Sequence, residues 1–254
     1  MSKIITLVNQ KGGVGKSTTS MNLGAYLAAM GKTALLVDMD PQANATTGLG
    51  FRPKDIKATV YDSLSGKLSL RDIIVKTGIS NYFLAPASQE LAGATVELVE
   101  TSEREYKFQN ALREIKDQYD YILIDCPPSL GLLTINSLIA AEEILIPIQC
   151  EYYALEGLGQ LLESVELVRQ NLKEDLKIMG AILTMFDRRN QLSNQVAKEV
   201  RRYFPGHVFN AVIPRNVSLA EAPSFGKTIL EYAPDSAGAR AYRHLAREVI
   251  DIGK

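Results

Sequence analysis

Lys11-Gly12-Gly13-Val14-Gly15-Lys16-Ser17-Thr18 follows the apolar run Ile4-Ile5-Thr6-Leu7-Val8 and opens a helical pattern through Met21, Leu23, Leu27 and Met30. A buried strand, a glycine loop and a helix N-terminus in succession predict a phosphate cradle. The glycines let backbone N–H groups close around oxygens, and the helix dipole adds positive potential. At this spacing Lys16 reaches the terminal phosphates of a nucleotide, and the Ser17 hydroxyl is placed to ligate Mg²⁺. The usual loop begins with Gly. Here Gln10 holds that position and a second lysine, Lys11, stands at the front of the loop. A glycine-rich turn with no ligand is the plainer reading, but it leaves strand, spacing, Lys and Ser-Thr as coincidences. For Lys11 alone a solvated charge is the simple reading. Two cations this close repel unless an anion sits between them, which favours a phosphate partner for Lys11.

The chain has 254 residues, enough for one large α/β domain or two small ones. Apolar residues make up 46%, ample for a core, and the net charge of −1 names no partner. The distribution of charge is more telling. Residues 184–254 carry 11 Lys+Arg against 7 Asp+Glu, whereas residues 1–183 carry 17 against 22. A basic C-terminal quarter suggests a local anionic partner. Cys126 and Cys150 show no metal spacing and read as buried thiols of a reduced compartment, here the cytoplasm. No signal peptide is visible, and no apolar run approaches a membrane span.

Outward from the loop, strand and helix patterns alternate. Strands are expected at 4–8, 33–38, 82–85, 121–125, 144–149, 178–184 and 208–213, and helices at 16–30, 103–117, 131–141, 156–172, 192–203 and 237–251. Near-continuous apolar runs such as Tyr121-Ile122-Leu123-Ile124 suit strands buried on both faces of a parallel sheet. The order predicts a doubly wound, mostly parallel α/β sheet with helices on both faces, of P-loop NTPase type. With no repeat or Gly/Ser linker, one domain spanning 1–254 is expected. Residues 41–80 hold scattered Pro and Gly and should form loops and short helices.

In such sheets ligands bind beyond the carboxyl ends of the strands. Three ends stand out: the glycine loop, Asp38-Met39-Asp40-Pro41-Gln42-Ala43-Asn44, and Asp125-Cys126-Pro127-Pro128-Ser129. All three should converge on one pocket. An apolar strand ending in Asp125 is the second element of a P-loop site, orienting Mg²⁺ through water, against the plainer reading of a helix cap. Alternation on an extended backbone would point Asp38 and Asp40 the same way. Asp40 has two readings, water positioning beside a γ-phosphate or turn formation ahead of Pro41.

Together these three segments resemble the deviant Walker A ATPases, and more closely the ParA/Soj chromosome- and plasmid-partitioning family. Cys150-Glu151-Tyr152-Tyr153-Ala154-Leu155-Glu156-Gly157, Leu183-Thr184-Met185-Phe186-Asp187, Ile213-Pro214-Arg215-Asn216-Val217 and Glu221-Ala222-Pro223-Ser224-Phe225-Gly226-Lys227 fit the same family. The similarity covers essentially the whole chain. It implies an ATPase that binds ATP and Mg²⁺ through Lys11, Gly12, Gly13, Val14, Gly15, Lys16, Ser17 and Thr18. It implies a face-to-face homodimer in which Lys11 crosses to the partner's phosphates and Gly12 lies at the close approach. Lys11, Lys16 and Asp40 are the implied catalytic set. Pro214, Arg215 and Asn216 lie around the adenine, with Met185 near it. The resemblance further implies non-specific DNA binding by the ATP dimer, a nucleoid location, and release when a ParB-type partner stimulates hydrolysis.

The basic quarter then acquires a role. Arg189 matches a DNA-contact position of the family, and Arg188, Arg215, Lys227, Arg240 and Arg243 are further candidates. Arg240, Arg243 and Arg247 share one helical face, while Tyr242, Leu245 and Val249 line another, buried one. A solvated helix is the simpler reading of any single arginine. Phosphate contacts give affinity without sequence information, and no helix-turn-helix or zinc pattern is present to read bases. A membrane-associated spatial regulator like MinD is the alternative, but it needs a C-terminal amphipathic membrane helix, which 237–251 does not resemble. An iron–sulfur ATPase like the nitrogenase iron protein needs glycine-flanked cysteines that are missing. A ligase like dethiobiotin synthetase lacks the paired-lysine loop.

Overall fold

The computed structural model describes residues 2–152 and 154–252, so Tyr153 of the 150–157 segment lies outside the described residues. The chain begins with strand β1 (Lys3–Leu7), helix α1 (Lys16–Ala29) and β2 (Ala34–Asp38). Short helices α2 (Asn44–Gly48), α3 (Val60–Leu64) and α4 (Leu70–Ile73) follow, then β3 (Val75–Lys76), β4 (Tyr82–Ala85) and α5 (Leu91–Glu97). Next come α6 (Lys107–Leu112), β5 (Tyr121–Asp125), α7 (Leu132–Ala140), β6 (Glu143–Gln149) and α8 (Ala154–Asn171). The last part is β7 (Lys177–Phe186), α9 (Gln191–Tyr203), β8 (Val208–Pro214), α10 (Val217–Glu221), α11 (Ile229–Tyr232) and α12 (Ala237–Ile252).

The strands form one sheet in the order β3-β4-β2-β5-β1-β6-β7-β8, parallel except for the β3–β4 pair. This is the doubly wound, mostly parallel sheet that the apolar runs predict. Alternate residues of each strand feed two cores. Ile4, Leu35, Val37, Ile122 and Ile124 pack on the face covered by α7, α8 and α9. Ile5, Leu7, Leu36 and Leu123 pack on the face covered by α1 and α12. Both faces are covered, so the central strands carry no polar alternation.

The β1 connection runs to β2, and the β5 connection runs the other way to β6. The crevice between β1 and β5 is therefore a topological switch point. Register places Leu7 beside Asp125 and Asp125 beside Asp38. The loops that follow these three residues thus leave the sheet as neighbours.

Two expectations need correction. The helix expected over 103–117 is broken into a 3₁₀ turn at Arg104–Tyr106, α6, and a second 3₁₀ turn at Lys116–Gln118. Phe108, Leu112 and Ile115 are buried as the periodicity predicts. Glu103 takes φ 54°, and bonds such as Ile115 N to Leu112 O tighten the helix end. Helix α5 and the two-residue edge strand β3 were not expected; both are too short to show a period.

Candidate functional site

Gly13 and Gly15 take φ of 74° and 89°, a region L side chains rarely adopt, so the turn into α1 needs glycine at both. Gly15 caps α1 with no side-chain hydrogen bond. The first-turn N–H groups are therefore left for an external acceptor. Gly12 differs: its φ is ordinary and nothing lies within 4 Å of where a Cβ would be. Nothing inside the described chain requires glycine there. The Val14 side chain is buried, and its carbonyl accepts from the Thr184 hydroxyl at 2.8 Å, so Val14 offers only backbone.

Beside this loop lies a cavity of about 520 Å³. Gly12, Gly13, Gly15, Lys16, Ser17 and Thr18 line it. Asp40, Gln42, Asn44, Met185, Pro214, Arg215, Asn216, Leu219 and Tyr242 also line it. The loop, Asp40, Met185 and the 214–216 segment are thus brought together as expected. Lys16 is 7% exposed, and its Nζ donates to the Lys11 carbonyl at 3.4 Å. Burial holds its ammonium below the ordinary lysine range, while the charges of Asp125 and Asp40 oppose that.

Asp125 is fully buried beneath the loop, and among the described residues neither carboxylate oxygen has a hydrogen bond of normal geometry. Burial first, then the charge of Asp38, pushes its carboxyl above the usual carboxylate range, with the Ser17 hydroxyl and Lys16 opposing. A buried carboxylate without a partner is costly, and a hydrated cation would supply what is missing. Among the described residues no group of three His, Cys, Asp or Glu could hold a metal by itself. A cation here would take its other ligands from Ser17, phosphate oxygens and water, the donor set Mg²⁺ prefers. The residues present therefore fit Mg²⁺ and a nucleotide together.

Asp38 and Asp40 take different roles while staying in contact, since Asp38 Oδ1 accepts from Asp40 N at 3.1 Å. Asp38 is fully buried and accepts from Thr46 N at 2.8 Å and Thr46 Oγ1 at 2.7 Å, pinning α2 to the end of β2. Asp40 lines the cavity and accepts from Gln42 N at 3.0 Å. The strand ends at Asp38, so strand alternation no longer applies beyond it. The two readings of Asp40 are compatible: one oxygen closes the turn before Ala43 while the side chain lines the cavity.

Lys11 does not line the cavity. Its Nζ lies 3.3 Å from Glu151 Oε2. Glu151 also accepts from Gln149 Nε2 at 2.7 Å and from Arg215 Nη2 at 3.4 Å. Gln149 in turn donates to the Met185 sulfur at 3.3 Å. Met185 takes φ 50°, a strained conformation for a residue with a Cβ, and sits on the cavity wall. Asn216 caps α10 by accepting from Leu219 N at 3.2 Å.

A second cleft, about 750 Å³, is lined by Arg188, Arg189 and Arg215 with Phe186, Pro214 and Val217. It shares Pro214 and Arg215 with the first cavity. Arg189 is 91% exposed and pairs with Asp187 at 3.3 Å. Lys227, Arg240 and Arg243 are exposed but do not line this cleft. Arg243 lies over the Tyr26 ring at 6.0 Å, and Arg240 donates to the Asp235 carbonyl. Sequence reasoning missed Gln42, Asn44, Thr184, Leu219 and Tyr242 as site residues. Asn44 was within reach, since it follows Asp40 in the quoted segment. Tyr242 was assigned only to a buried face, and no period shows that such a face also walls a cavity.

Residues 2–178 match the family described as an AAA domain. The chain is 56% identical over its whole length to the sporulation initiation inhibitor protein Soj of Bacillus subtilis (strain 168), covering 100% of that protein. It is 53% identical to the chromosome-partitioning ATPase Soj of Treponema pallidum (strain Nichols), over 98% of each. Among solved structures, cobyrinic acid a,c-diamide synthase from Mycobacterium smegmatis with bound ATP analog and magnesium superposes with a TM-score of 0.87. That likeness is at 36% identity, over 98% of this chain and 95% of that one. With a glycine loop, a buried Asp125 and a cavity-lining Asp40 on a doubly wound sheet, the chain belongs to the Soj/ParA family of chromosome-partitioning ATPases.

Proposed function

We propose that this chain is one ATPase domain acting as an ATP-switched, sequence-independent DNA binder in the cytoplasm, located on the nucleoid. The observation that carries the reading is the shared wall of Pro214 and Arg215, which joins the loop cavity to the arginine cleft. A nucleotide in one cavity and a DNA phosphate in the other would meet across two residues. Lys16 and the loop N–H groups would hold the β- and γ-phosphates, and Ser17, with Asp125 through water, would hold Mg²⁺, which would neutralise phosphate charge. Asp40 orients the attacking water; phosphoryl transfer needs placement more than a strong base. Met185, Pro214 and Asn216 surround the adenine.

Two copies meet over the glycine loops, where Gly12 permits close approach. Lys11 then leaves Glu151 for the partner's phosphates. Arg189, Arg188 and Arg215 contact DNA phosphates, with Lys227, Arg240 and Arg243 beyond the cleft. A ParB-type partner stimulates hydrolysis and releases the dimer.

The test is DNA affinity measured with ATP, ADP and no nucleotide, with and without a ParB-type protein, beside liposome co-sedimentation. Tight DNA binding with ATP only, lost on adding ParB, is the expected result. Equal affinity in all nucleotide states, or ATP-dependent liposome binding without DNA binding, would overturn it. No helix among the described residues is long and apolar enough to cross a membrane.

A further inference from the structure

Helix α12 faces two ways. Tyr242, Leu245, Ala246 and Val249 are buried, and Arg240, Arg243 and Arg247 are exposed. Two contacts tie its inner side to the nucleotide cavity, and a third ties its outer side to α1. The Tyr242 hydroxyl shares a buried hydrogen bond with Thr19 Oγ1 at 3.1 Å, and Tyr242 is among the residues that line the cavity. Gly238 sits so close to Leu219, another wall residue, that a Cβ there would lie 2.7 Å from Leu219 Cγ. Arg243 reaches back over Tyr26 of α1.

Thr19 belongs to the first turn of α1, two residues after Ser17, and its N–H bonds Gly15 O at 2.8 Å. It therefore moves with the glycine loop. Among the described residues, each of the two buried hydroxyls has the other as its hydrogen-bond partner. Separating them would strand both away from water, so the contact resists breaking. Arg240 and Arg243 lie within one turn of Tyr242 on a continuous helix, which carries a shift of its inner face to its outer one.

We propose that Tyr242 is a positioning residue that couples occupancy of the nucleotide cavity to the DNA affinity of the arginine face of α12. The proposal rests on the reading of the chain as an ATP-switched DNA binder and names the contact that transmits the switch. A ligand can bias α12 only through contacts that differ between occupied and empty states, and the Thr19–Tyr242 bond sits where the loop and α12 meet.

The experiment uses the full chain and its variants Tyr242→Phe, Thr19→Val, Thr19→Ser and the double Tyr242→Phe/Thr19→Val. DNA affinity is measured by anisotropy with each protein saturated first with a non-hydrolysable ATP analogue and then with ADP. Melting temperatures are recorded alongside. Coupling through such a contact is expected to be worth about 5- to 150-fold in the ratio of the two DNA affinities. The ratio should collapse towards one in Tyr242→Phe and Thr19→Val, fall no further in the double variant, and persist in Thr19→Ser. The double variant removes both hydroxyls together and stands in if a single one fails to fold. A wild-type ratio in the variants, with only a lower melting temperature, would make the bond purely structural and end the proposal. A wild-type protein whose DNA affinity ignores nucleotide would remove the underlying reading as well.

Discussion

Asp40 shows how much one carboxylate can decide. It lines the cavity while Lys16, Ser17 and Asp125 are grouped at the loop. Asp40→Ala should therefore spare nucleotide binding and abolish hydrolysis, with a loss on the order of 10³–10⁵, the scale a single charge-stabilising group supplies in phosphoryl transfer. Single-turnover hydrolysis beside nucleotide titration checks this; normal turnover would reduce Asp40 to a turn former. Cys126 offers a pH test. It is fully buried with Sγ 3.1 Å from Thr6 Oγ1, and burial pushes its thiol up to about 12. The folded state holds that proton more tightly than the unfolded chain, where a thiol ionises near about 8.5. Its stabilising effect is complete below that pH and is lost as pH climbs from about 9 to about 12, at no more than about 1.4 kcal/mol per pH unit. Urea denaturation of wild type and Cys126→Ala across pH 8–11 should show a shallower decline in the variant. Parallel curves would mean that Cys126 ionises as easily folded as unfolded.

Helix α1 is held by shape as much as by propensity. Gly24 lies in its middle, where glycine is unfavourable, yet a Cβ there would meet the Tyr82 ring at 2.5 Å. That ring cannot swing away freely, because it is fully buried and its hydroxyl donates to the Met21 carbonyl at 3.1 Å. Gly24→Ala should gain about 1 kcal/mol of helix propensity and lose about 1–3 kcal/mol to overpacking, for a net destabilisation. Chemical denaturation gives the sign directly, and a more stable variant would show that Tyr82 has room to yield. The same close packing keeps α1 against the sheet, so the loop at its N-terminus is held from behind.

At the scale of the whole molecule, substitutions at Gly12 and Arg189 would test the proposed association and the proposed DNA binding separately. Gly12 is exposed, with ordinary φ and empty space around its missing Cβ. Gly12→Val should fold and bind ATP as the wild type does, yet remain a monomer by light scattering. A dimer of normal strength would place the subunit contact elsewhere. Arg189 is 91% exposed and, among the described residues, bound only to Asp187, so removing it disturbs no core. Arg189→Ala should keep ATP-dependent dimerisation and weaken DNA binding. The slope of log affinity against log salt should fall by about 0.9 for one lost phosphate contact. An unchanged slope would leave Arg189 as a solvated charge and move attention to Lys227 and α12.

What the sequence by itself determined is local or periodic. The glycine loop was legible because strand, loop and helix are contiguous and their chemistry lies in residue type. The sheet was legible because central strands buried on both faces are apolar throughout. The convergence of Asp40 and Asp125 on the loop was legible from strand ends alone. Tertiary structure decided the rest. Asp38 became a buried structural acceptor because Thr46, eight residues on, supplied two hydrogen bonds to one of its oxygens while Asp40 N bonded the other. Lys11 came to rest on Glu151, which lies 140 residues away and carries no local signal of that contact. Tyr242 became a wall of the cavity because α12 packs on α1, whose sequence lies more than 200 residues earlier. Periodicity reports which face of an element is buried; it cannot report what that face is buried against, and here it is α1 and, at Tyr242 alone, the edge of the nucleotide cavity.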